Sequence, residues 1–112
     1  MSPMQIVNAN KAEFSNEFIR WLPDNLHIWD AFVQETFKVI GVGFKHYSAR
    51  TIVHVLRHHS ALSENGKEWK INNNISPYLA RLFALSYPKH KDLFEYRRTW
   101  MAESDQLLRT YS

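Results

Sequence analysis

Arg50, His54 and Arg57 recur at i, i+4 and i+7, the spacing that lines side chains along one stripe of a helix. Two guanidiniums and an imidazole on one stripe are suited to anion contact, since Arg clamps phosphate and reads guanine bidentately. Lys45 and His46 stand just before the stripe, where a turn meets a phosphate backbone. Lys67 and Lys70 flank a second turn signal, Asn65-Gly66. The run Asn72-Asn73-Asn74 has two readings. Asn reads adenine, which adds Asn73 to the candidate set. Asn also caps helices and tolerates left-handed backbone, a role expected of Asn74, with Ser76 as the other candidate cap. Arg81, a further cation of the same basic segment, completes the expected nucleic-acid-binding residues.

Other chemistries find less material. His54 and His58 are one helical turn apart, an acceptable spacing for two metal ligands. No Glu lies between them as in His-Glu-x-x-His, and spacing suggests no third ligand, so no metal or cofactor is expected. His59 falls on the apolar side of the same helix and reads as a core histidine. Trp69 reads as a core residue rather than a base-stacking one. The chain has no cysteine, which excludes disulfides, thiolate catalysis and zinc-thiolate sites. No serine sits in a nucleophile elbow. Gly41-Val42-Gly43 is not followed by the Lys-Ser/Thr of a phosphate loop. No catalytic residues and no enzyme activity are expected.

The charge map points the same way as the stripe. The net charge of +3 conceals about −3 over residues 1–37, +7 over residues 38–91 and −1 over residues 92–112. No Asp or Glu occurs between Glu35 and Glu64, a span that holds Lys38, Lys45, Arg50, Arg57 and four histidines. Local positive charge attracts polyanions and releases counterions when it neutralises phosphates. A solvated face, or one paired with the acidic N-terminal helix, is the plainer alternative.

These residues need elements to position them. With 112 residues and 45% apolar content, the chain is expected to form a single domain over 1–112, with an ordered core over about 10–110 and an N-terminal tail over 1–9. Asn10-Lys11-Ala12-Glu13 resembles a capping box and predicts a first helix from about Lys11 to Trp21, interrupted by Pro23. A second helix is expected from about Asn25 to Ile40, ended by Gly41 and Gly43. Ser48 predicts the start of a third, from Ala49 to about His59. The alternation over Leu62–Ile71 around Asn65-Gly66 predicts a hairpin. Ser76-Pro77 predicts a fourth helix to about Tyr87, and a fifth is expected from about Lys91 to Arg109. The expected core is Phe14, Phe18, Trp29, Phe32, Phe37, Ile52, Leu56, Leu79, Leu82, Phe83, Leu93 and Trp100. Arg97 falls within the apolar face of the last helix and would need a carboxylate, such as Asp30 or Glu35, or several carbonyls. The expected fold is mainly α, with about five helices and one short β-hairpin. The order basic helix then hairpin makes it winged-helix-like.

The runs Gly43-Phe44-Lys45-His46-Tyr47-Ser48-Ala49-Arg50-Thr51-Ile52, Trp69-Lys70-Ile71-Asn72-Asn73-Asn74, Tyr78-Leu79-Ala80-Arg81-Leu82-Phe83 and Leu93-Phe94-Glu95-Tyr96-Arg97-Arg98 resemble a small bacterial and phage family with no settled function. The resemblance spans about residues 25–98. It implies either a DNA-binding regulator or a small protein that binds and blocks a host defence component, and it supplies no catalytic residues. The expectation is a non-enzymatic, cytoplasmic DNA-binding protein of phage or mobile-element origin, with duplex DNA as partner and no membrane association. The alternative is a small phage-type inhibitor or adaptor that binds an acidic host protein. A homodimer through the last helix is a third reading.

Overall fold

The computed structural model describes residues 2–63 and 69–94. Among the described residues five α-helices follow one another: α1 (Pro3–Ala9), α2 (Asn16–Trp21), α3 (Leu26–Val42), α4 (Ala49–Ser63) and α5 (Ser76–Ser86). Short 3-10 turns at Lys11–Glu13, Leu22–Asn25, Asn73–Ile75 and Pro88–His90 join or end them.

Residues 3–9, expected to be tail, are helical because Ser2 and Gln5 form a reciprocal cap. The Ser2 hydroxyl accepts from the Gln5 N–H at 3.3 Å, and Gln5 Oε1 accepts from the Ser2 N–H at 2.9 Å. Pro3 at the first helical position removes a donor that would have lacked a partner. Ile6 and Val7 are buried in the core. Asn10 does not open the next helix as its capping-box pattern suggested. Its Nδ2 donates back to the Ile6 carbonyl at 2.8 Å and closes α1. Ser15 caps α2 instead, its hydroxyl accepting from the Phe18 N–H at 3.1 Å.

α3 runs two residues past the expected Ile40, with Gly41 inside the helix and Gly43 as its cap. Gly43 adopts φ +108°, its N–H donates to Ile40, and the Phe44 N–H donates to Val39. This is the paired closure that a left-handed residue after a helix permits. Ser48 then caps α4 by accepting from the Thr51 N–H at 3.4 Å.

The expected β-hairpin and winged-helix layout are not seen among the described residues. Leu62 and Ser63, placed in the first strand by their alternation, are the last turn of α4. Among the described residues there is no strand, and the one bridge pairs Tyr47 with Phe94. The returning chain docks by a side chain rather than by strand pairing: the Trp69 N–H donates to Ser60 Oγ at 2.8 Å, and Ile71 is buried. The cap for the next helical stretch comes from Asn72, whose Oδ1 accepts from the Asn74 N–H at 3.0 Å. Ser76 already lies inside α5. Lys91 and Asp92, the expected start of a fifth helix, form a turn that leads Leu93 to the bridge. The remainder of that expected helix, with Arg97 and Trp100, lies outside the described residues.

The core is aromatic. Phe18 stacks on Phe14 at 5.3 Å and on Trp21 at 5.9 Å, and Phe94 meets both Phe32 and Phe83 at 5.5 and 5.6 Å. Phe14, Phe18, Trp29, Phe32, Ile52, Leu56, Leu79, Leu82, Phe83 and Leu93 are all buried as expected, whereas Phe37 is 36% exposed. α4 packs between α3 and α5 through Ile52, Val53, Leu56 and Ser60, which turns its other face outward.

Candidate nucleic-acid interface

The outward face of α4 carries Arg50, His54 and His58, all exposed, with half-buried Arg57 at its edge. Arg57 is oriented. Its Nη2 donates to Asn73 Oδ1 at 3.1 Å, which ties the helix to the turn before α5. That bond places Asn73 on the basic face as a support for Arg57, a role the sequence does not disclose. Lys45 and His46 are exposed in the loop that leads into α4. Lys70 is exposed next to Trp69, whose backbone is anchored to α4 through Ser60. The structure therefore gathers Lys45, His46, Arg50, His54, Arg57, Lys70 and Asn73 on or beside one helix.

One candidate falls away from this group. Arg81 points to the N-terminal segment, where its Nη1 donates to the Glu13 carbonyl at 2.8 Å and lies 3.4 Å from the Glu13 carboxylate. It is a structural tie. Lys67 lies outside the described residues. His58 joins the face and was missed as an anion contact, although its position four residues after His54 signals a shared face.

No described carboxylate is paired with the cations of this face. Among the described residues the ion pairs are Lys38 with Glu35 at 3.3 Å and Arg81 with Glu13, and neither involves α4. The acid-free stretch in the sequence thus becomes a surface on which no described carboxylate pairs with the cations.

His59 is not a core residue. It is exposed and lines a shallow groove of about 210 Å3 between α3 and α4, with Gln34, Glu35, Lys38 and Trp69 among its neighbours. The helix wheel puts His59 at the border of the apolar side, where the groove leaves it open to solvent. Trp69 is half-buried against the core, its ring edge-on to His27 at 5.3 Å.

Among the described residues, no three or more His, Asp or Glu side chains gather as a metal cage, and no helix is long and apolar enough to cross a membrane. No protein-family model, no curated protein and no solved structure matches this chain.

Proposed function

We propose that this is a non-enzymatic cytoplasmic protein that binds the phosphate backbone of duplex DNA through the outward face of α4. The observation that carries the reading is a cationic face with which no described carboxylate pairs. Arg50 and Arg57 lie on one face, Lys45 is exposed in the loop before the helix and Lys70 is exposed beside the Trp69 anchor, and none of them is ion-paired among the described residues. Phosphate contacts position a protein on the duplex, and each one releases counterions. Arg50 and Arg57 would clamp phosphates, Lys45 and Lys70 would hold the backbone at either end, and His54 would donate between them.

The test is a fluorescence-anisotropy titration of labelled duplex DNA at several salt concentrations. Arg50→Ala with Arg57→Ala weakens binding and lowers the slope of log affinity against log salt by about 2, one for each phosphate contact removed. Equal affinity of variant and parent would sink the proposal. A second reading, contact with an acidic protein, draws on the apolar residues beside Lys45: Val42 is 76% exposed and Phe44 is 51% exposed. It predicts no salt-sensitive DNA binding, and stoichiometric co-purification with one protein that is lost on Phe44→Ala.

A further inference from the structure

We propose that His54 and His58 form a two-imidazole site for a divalent transition metal, with copper(II) preferred. Both lie inside α4, so regular helical backbone continues on either side of the pair. Residues four apart on a helix have their Cβ atoms about 5–6 Å apart. From that base two imidazoles can turn toward one ion and reach the usual metal–nitrogen distance of about 2.0–2.1 Å.

The structure adds three facts to the spacing. Both side chains are exposed, so a hydrated ion reaches them without opening the fold. Neither imidazole is held by a hydrogen bond or ion pair among the described residues; the His58 ring has only the His59 ring near it, at 6.4 Å. The guanidinium of Arg57, the residue next to His58, is engaged by its bond to Asn73.

The donor set selects the ion class. Two neutral nitrogens without a carboxylate disfavour Mg2+ and Ca2+, which require oxygen ligands. Imidazole suits copper, nickel and zinc, and affinity among these peaks at Cu2+. Two protein ligands do not close a structural zinc centre, which uses four. The site is therefore exchangeable, with open positions. Since no acid lies between Glu35 and Glu64, the ion's charge is not neutralised by this stretch of chain. The open positions would take an anionic group, and Arg50, one turn before His54, stands on the side to meet it.

The test is a Cu2+ titration of the full, untagged chain in a non-coordinating buffer, read by calorimetry and by the nitrogen couplings in the copper spectrum. The expected result is one ion per chain, with couplings from two imidazoles. His54→Ala and His58→Ala each weaken binding by at least about 10- to 100-fold, the range already seen when only a ligand's supporting contact is lost. His46→Ala and His59→Ala leave it unchanged. His54→Gln and His58→Gln keep bulk and polarity without the ligand nitrogen, and repeat the loss if the alanine variants unfold. Binding that depends on neither residue, or on only one of them, would overturn the chelate. The titration contains no DNA, so its outcome is independent of the nucleic-acid reading.

Discussion

Arg57 and Asn73, 16 residues apart in sequence, meet through a guanidinium-to-amide hydrogen bond of 3.1 Å between α4 and the turn that begins α5. The neighbouring Asn72 holds that turn from within by capping Asn74, and from outside by donating to Glu17 at 3.4 Å. Arg57 is thus oriented by an acceptor on a fixed turn. A guanidinium has five donors, and one bond to Asn73 leaves the others for a ligand. Orientation before binding reduces the ordering that a long side chain must undergo on contact.

The DNA reading makes a specific prediction for this pair. Asn73→Ala should weaken DNA binding by less than Arg57→Ala does, and the double variant should bind like Arg57→Ala alone. Anisotropy titrations of the three proteins close the cycle. Fully additive losses would mean that Asn73 touches the DNA itself. The fold should be little affected, since a typical hydrogen bond contributes about 0.5–1.5 kcal/mol net.

Arg81 should behave in the opposite way. It joins α5 to Glu13 through both a backbone carbonyl and a carboxylate, with only 20% of its side chain exposed. Hydrogen bonds of charged groups contribute about 1.5–3 kcal/mol, and the half-exposed carboxylate adds less than a buried one would. Arg81→Ala should therefore lower stability in urea by about 1–2 kcal/mol while leaving DNA affinity at the parent level. A loss of affinity without a loss of stability would return Arg81 to the binding surface.

What could be read from the residues follows from how local the determinants are. The Arg50-His54-Arg57 stripe was legible because one helix carries it and its period is the helical one. α3 was legible because Gly43 ends a long amphipathic run. The hairpin was misread because the alternation from Leu62 to Ile71 competes with a helix already under way, and Ala61 and Leu62 extend it by one more turn. α1 was missed because its reciprocal cap is followed by a single buried pair, Ile6 and Val7, too little for a period to emerge. The roles of Arg81 and Asn73 were not legible at all. Their partners are 68 and 16 residues away, and nothing in a local window signals such a bond.

The aromatic centre should be the most sensitive part of the fold. Phe83 is fully buried and its ring meets Phe37, Tyr87 and Phe94 within 5.0–5.6 Å. Phe83→Ala removes these contacts and leaves a cavity, at a cost of about 3–5 kcal/mol. Chemical denaturation should show that loss, and a change below about 1 kcal/mol would mean that the site collapses around the smaller side chain.

Gly41 and Gly43 should respond to the same substitution with opposite signs. Gly41 lies within α3, and a Cβ built there meets nothing within 4 Å. Alanine at this position is free of clash and favours the helix by about 0.8–1 kcal/mol, in part by restricting the unfolded chain. A Cβ at Gly43 also meets open space, but the backbone there is left-handed at φ +108°. An L side chain in a left-handed conformation costs about 1–2 kcal/mol. Gly41→Ala should thus raise the urea midpoint and Gly43→Ala should lower it, although neither side chain touches another residue. If both variants shifted the midpoint in the same direction, α3 would not end in the left-handed closure at Gly43, and the loop carrying Lys45 and His46 into α4 would leave the helix by another route.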